Sequence, residues 1–136
     1  MAQPYEAIHW VLKNTSAITN LVPANRSYHA FRPKTQTLPN ITFYESGGPS
    51  QWRGVEQRDF TINCRAINLE SALAVARVVV SAFNGSQAMG MTGTVNGFDI
   101  SRAFLSGGPN AIFENSDNVY NAPVTVSTVY PVTTVT

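Results

Sequence analysis

The chain has 136 residues, a formal net charge of +1 and only 12% charged residues, about half of the usual ~25%. Such a balance excludes a general electrostatic case for nucleic-acid binding, and one cysteine, Cys64, excludes an internal disulfide framework and suits a reducing compartment. The length suits one domain, residues 1–136, whose core needs neither disulfide nor metal, while a surface so poor in charge suits a protein that meets other protein.

From Pro4 to about Lys13 the chain reads as a helix: Pro4 fits a first turn, and Tyr5, Ile8, Val11 and Leu12 recur at three and four positions. Pro4, Glu6 and His9 leave no apolar signal core, so secretion is not expected. "SAITNLV", Ser16 to Val22, is a shorter helical or turn piece stopped at Pro23. Beyond it Arg26, His29, Arg32 and Lys34 fall within nine positions, either a solvated loop or a docking surface for a negatively charged partner.

"NITFYES" and "RDFTINCRA" read as strands. In the second, Phe60, Ile62, Cys64 and Ala66 alternate with Asp59, Thr61, Asn63 and Arg65, which predicts one apolar and one polar sheet face. The connection "GGPSQWRGVEQ" predicts a long hairpin loop with Trp52 at its tip, either an anchor folded back onto the core or an exposed contact. "NLESALAVARVVVSAFNG" predicts a helix with Asn68 as N-cap, Glu70 at the positive end of the dipole and Gly85 as the stop. Its polar residues Glu70, Arg77, Ser81 and Asn84 form one narrow stripe, so the helix is either clamped between layers or covered by a neighbouring subunit. Its apolar run from Ala72 to Val80 is broken by Arg77 and is far short of the roughly 20 residues that cross a bilayer, so no membrane partner is expected.

After a glycine-rich connection, "TVNGFDISRAFLSGG" reads as a strand with Phe98, Ile100, Arg102 and Phe104 on one side. Residues 106–118 read as a second long loop, and "VYNAPVTVSTVYPVTTVT" as a Val/Thr-rich strand whose Pro123 and Pro131 mark an edge or bends. The order predicts an α+β fold, with helices on one face of a mostly antiparallel sheet.

Chemistry-bearing motifs are not found. "GSQAMGMTG" has the G-x-x-x-x-G spacing of a phosphate loop in Gly85 and Gly90, and ends in Thr92, but Met91 replaces the lysine and the glycines follow a helix instead of opening one. Carbonyls and the negative dipole end would face the anion there. His9 and His29 have no metal-ligand spacing, Cys64 reads as a small core residue, and Ser46 and Ser106 form no G-x-S-x-G elbow. No catalytic, cofactor or metal residues are assigned, and an enzyme is not expected.

The pattern resembles the tail completion, or tail terminator, family of long-tailed bacteriophages. The resemblance runs through the N-terminal helix and "SAITNLV", "NRSYHAFRP", "TLPNITFYES" and "DFTINCRAINLESALAVARVVVSAFNG", and after Gly93 it is one of strand order alone. It implies an α+β subunit of a virion ring, usually of six, made in the host cytoplasm and placed on the head-proximal end of the tail tube. Such a ring stops tube polymerisation, joins the head connector and lets DNA pass without specific binding. Its partners are further copies of itself, the tube protein and the neck. On this reading the helix from Leu69 to Asn84 or the strand from Val124 to Tyr130 covers part of the next subunit. The interface candidates are Leu73, Val79, Phe83, Val124, Val126 and Tyr130, and aspartate at Val79 or Val126 is expected to block the ring while a monomer persists. Arg32, Lys34, Trp52 and Arg53 are the candidates for contacts above or below the ring, and Glu114 and Asp117 belong either to the lumen or to a surface loop. Alternatives are a head completion protein on the portal side and a small ligand-binding or enzymatic α+β domain.

Overall fold

The computed structural model describes residues 4–30, 38–52, 55–84, 91–95, 98–107, 112–114 and 119–131, and their side chains over 5–6, 8–30, 38–47, 56–83 and 119–129. Three helices come from the expected segments: α1 (Pro4–Asn14), α2 (Ser16–Thr19) and α3 (Leu69–Asn84). Glu6 in the first turn and Lys13 in the last complement the dipole of α1. α3 starts at its predicted cap, where Asn68 Oδ1 accepts the Ser71 N–H at 2.8 Å.

Among the described residues seven strands form one sheet: β1 (Ser27–His29), β2 (Asn40–Trp52), β3 (Val55–Ala66), β4 (Met91–Val95), β5 (Phe98–Gly107), β6 (Ile112–Glu114) and β7 (Val119–Pro131). Their order is β1-β2-β3-β7-β5-β4, with β6 also on β7. All pairings are antiparallel except the parallel β1–β2 edge. The fold is α+β.

α3 packs on β3, β7, β5 and β4, while α1 packs on β1 and touches β4, the two ends of the strand order. A helix reaches both edges of a sheet only if the sheet curls toward it, so α1 bridges the opening of a curled sheet. The core lies inside that curl. Phe60, Ile62, Cys64 and Ala66 of β3 meet Ile41 and Phe43 of β2, Ala122, Val124 and Val126 of β7, Ile8, Val11 and Leu12 of α1, and the inner face of α3. Each large side chain buried there contributes about 1.5–3 kcal/mol.

Four segments depart from the sequence reading. The expected loop over 46–57 is largely paired strand: β2 continues to Trp52, which pairs with Val55. Two register shifts, at Glu45/Gly47 and Gly47/Ser50, absorb Ser46, Gly48 and Pro49 and leave Gly47 paired with Asp59 between them, so residues that look like a loop belong to a bulged strand instead. The strand expected over 94–108 is two strands, β4 and β5, joined where Val95 pairs with Phe98. The expected loop over 106–118 contains β6. β7 lies in the middle of the sheet instead of at an edge, with β3 on one side and β5 and β6 on the other. Pro123 fits there because it falls between Thr125, where the β5 pairing ends, and Asn121, where the β6 pairing begins, and needs no N–H.

Candidate interaction surfaces

β2 is 13 residues long, so the start of the β2–β3 hairpin and its tip are separated by roughly 40 Å. At the start, β3 runs into the turn before α3, where Ile67 is 73% exposed and Leu69 is also exposed. Toward the tip, the hairpin and β7 extend past Phe60 and Val126, the last large core residues among the described side chains, as an arm of β2, β3 and β7 that β5 flanks as far as Val129.

Polar side chains hold the root of this arm on both faces. On the core-side face, Arg58 Nε donates to Glu56 Oε1 at 2.7 Å and Nη1 to Glu45 Oε1 at 3.0 Å, with Glu56 nearly buried and the other two half-exposed. Thr128 Oγ1 donates to the Arg58 carbonyl at 3.0 Å. On the opposite face Asp59 Oδ1 accepts from the buried Ser127 hydroxyl at 2.7 Å and from Gln57 Nε2 at 3.3 Å. Gly47 lies directly across from Asp59, and a Cβ on it would stand 2.8 Å from Asp59 Oδ2 and 3.0 Å from Asp59 Cβ. A side chain at that position would therefore force Asp59 to shift. Gly47→Ala is expected to cost about 1–3 kcal/mol in urea unfolding and to weaken the amide protection of β2 beyond Glu45. An unchanged midpoint and unchanged protection would show that the arm does not depend on this close approach.

At the other edge, α1 is fastened by a cluster of rings. Tyr5 stacks on His29 with centroids 4.2 Å apart, and Phe43 stands 4.9 Å from His29 and 5.2 Å from His9. His9 Nε2 donates to the Ser27 carbonyl at 3.1 Å, which supplies a partner for the outer edge of β1. Outside this cluster His9 joins Glu6, Trp10, Lys13 and Asn14 in a shallow groove of about 220 Å³.

The interface candidates separate by burial. Val79, Phe83, Val124 and Val126 are fully buried within this one chain, so they form its own core and present no surface to a neighbour. Leu73 is half-buried at the margin of the core. Tyr130 pairs with Glu56 in the arm, and its side chain lies outside the described residues, as does that of Trp52 at the hairpin tip. Arg32, Lys34, Arg53 and Asp117 lie outside the described residues altogether, and Glu114 is known by its backbone pairing with Val119. α3 packs by one face, formed by Ala72, Val75, Ala76, Val79 and Phe83, while Leu73, Val78 and Val80 are only partly buried, and Glu70, Arg77 and Ser81 are exposed as the stripe predicts. The polar face of β3 is covered at its end toward α3, where Asn63 and Arg65 are buried beside Thr42 and Asn121, whereas Gln57 is exposed and Asp59 and Thr61 are partly so. Alternation sorted the two faces correctly, but the polar one is closed to solvent at that end.

No catalytic constellation emerges among the described residues. Burial pushes the Cys64 thiol up to about 12, so it stays a neutral core side chain. Among the described residues no group of three or more His, Cys, Asp and Glu is placed to hold a metal ion, and no helix is long and apolar enough to cross a membrane. What the arrangement offers is surface: an arm, an exposed apolar turn and a ring-lined seam.

No protein-family model and no curated protein matches the chain. Among solved structures, a chain from the virion of a native gene transfer agent particle is similar in fold, with a TM-score of 0.71. The match covers 94% of this chain and 94% of that one at 14% sequence identity, and a likeness at that identity is one of fold.

Proposed function

We propose that this chain is a virion structural protein, and more narrowly a tail terminator: a subunit of a closed ring, of six copies by resemblance, that ends tail-tube polymerisation and joins the tail to the head. The observation that carries this reading is the end-to-end match of fold to a chain of an assembled virion, which leaves no large insertion or missing layer on either side. The geometry adds support. A ring subunit in a neck needs contacts that point in two directions, and β2 sets the hairpin tip and the Ile67–Leu69 turn roughly 40 Å apart at its two ends. One partner then meets the arm and a different partner meets the opposite end. The action is physical, since a ring that matches the tube on one side and lacks a tube-like surface on the other stops growth by mismatch.

The test is negative-stain microscopy of particles from a lysate in which this gene carries an early stop codon. Overlong or irregular tails beside DNA-filled heads are the expected result. Tails of normal length beside emptied heads would move the protein to the portal side of the neck, and intact infectious virions would overturn the reading.

A further inference from the structure

We infer that the seam between α1 and the β1 edge is a proton-sensitive latch: neutral His9 and His29 hold the N-terminal helix on the sheet, and protonating the pair loosens it. Both histidines of the chain lie at this one seam, on opposite sides of it, and both contact the ring of Phe43. His9 reaches from α1 to the Ser27 carbonyl, and His29 offers its ring to Tyr5 of α1, so the same two imidazoles make the polar and the stacked contact across the seam.

The charged surroundings favour release on protonation. On α1 itself the nearby groups are Lys13, which repels a cation at His9, and Glu6, which lines the outer groove with it. β1 adds Tyr28 on its other face, and the 3-10 turn at Ala24–Arg26 adds Arg26, whose guanidinium reaches the Leu38 carbonyl instead. α2, β4 and the paired part of β2 at Ile41–Phe43 carry no titratable side chain. Glu6 is thus the one acid set against two imidazolium rings and Lys13 among these elements.

Both imidazoles are held below their ordinary value of 6.5. For His9 burial is the main cause, opposed by the Ser27 carbonyl and reinforced by Lys13 and His29; for His29 the cause is burial. A lowered folded value means that the folded seam favours neutral rings, so the latch is complete above pH 6.5 and is lost as pH falls from there through the folded values. Ile8, Val11 and Leu12 remain in the core, and the ring faces of Tyr5 and Phe43 offset part of the cationic cost. The response is therefore local opening of α1 with the sheet intact.

Hydrogen exchange on the purified full chain at about pH 7.5 and about pH 5, corrected for intrinsic rates, tests this. The expected result is a several-fold loss of protection in α1 and β1 on acidification, with β3 unchanged. The double variant His9→Gln, His29→Phe keeps a donor for the Ser27 carbonyl and a ring for Tyr5 but cannot titrate, and its α1 should stay equally protected at both values. Equal protection of wild-type α1 at both values, or the same acid loss in the variant, overturns the inference. Should the variant not fold, NMR of the wild type decides: α1 amide shifts that follow the two imidazole titrations support the latch, and shifts that do not follow them refute it.

Discussion

Replacing Val79 or Val126 by aspartate is expected to abolish the folded subunit, so that no soluble monomer survives to be scored for ring formation. Both side chains are 0% exposed in a single chain, Val79 on the inner face of α3 and Val126 on the central strand β7. Each belongs to the cluster that joins α1, α2, α3, β2, β3 and β7. An aspartate at either point loses the burial of a valine, about 1.5–3 kcal/mol, and places a carboxylate where no described residue offers a cation. That charge stays only if it is neutralised or the site opens to water, and the combined cost reaches about 5 kcal/mol or more, comparable with the whole stability of a small domain. Circular dichroism and solubility of the purified variants check it. A folded, monomeric Val79→Asp would mean that the inner face of α3 is open in solution and would return that face to the list of subunit contacts.

For the proposed ring, this moves the search for subunit contacts to surfaces the core does not consume. Leu73 at the margin of α3, the Ile67–Leu69 turn and the arm formed by β2, β3 and β7 all have backbone or side-chain surface beyond the core. Substitution at Ile67, 73% exposed, separates assembly from folding in a way that substitution at Val79 does not.

The elements that were legible in the sequence are those whose pattern is local. β3 declares itself because Phe60, Ile62, Cys64 and Ala66 alternate with polar residues at a period of two, and α3 because Asn68 caps a long apolar run. The hairpin arm was hidden because Gly47, Gly48 and Pro49 are turn-forming residues, and only the pairing of β2 with β3 shows that Gly47 faces Asp59 between two bulges that absorb its neighbours. The central place of β7 was hidden because Pro123 excludes a fully paired strand, yet the gap between β5 and β6 removes that objection. The β4–β5 hairpin did carry a signal, since Asn-Gly stands between the paired Val95 and Phe98, a strong hairpin sequence that the long apolar run around it obscured. Contacts at the arm root were beyond any local reading: Asp59 and Ser127 are 68 positions apart. Burial failed for a related reason. Valines on a helix or strand look alike whether they face their own core or a neighbour's, and only the folded chain tells them apart.

Arg58 is expected to matter more to the arm than its half-exposed position suggests. It connects two carboxylates of unequal burial: Glu56 has a side chain 10% exposed at 2.7 Å, and Glu45 one 35% exposed at 3.0 Å. A pair near the surface is worth about 0–1 kcal/mol, so Glu45→Gln should change stability within that range. Glu56 differs because its carboxylate is largely removed from water, so losing the Arg58 guanidinium weakens the compensation of a desolvated charge. Arg58→Met keeps most of the apolar stem and removes the guanidinium. It is expected to cost about 2–3 kcal/mol, below the 3–5 typical of a fully buried pair because Arg58 itself is half-exposed. Glu56→Gln combined with Arg58→Met should then restore part of the loss, giving a coupling between positions 56 and 58 larger than that between 45 and 58 in double-mutant cycles read by urea unfolding. Equal couplings, or an Arg58→Met chain as stable as the original, would show that the backbone ladder of β2, β3 and β7 holds the arm without the ion pair. A coupling concentrated on Glu56 would instead identify a fixed charge cluster at the arm's base, where the sheet leaves its apolar core and where a rigid arm needs an anchor.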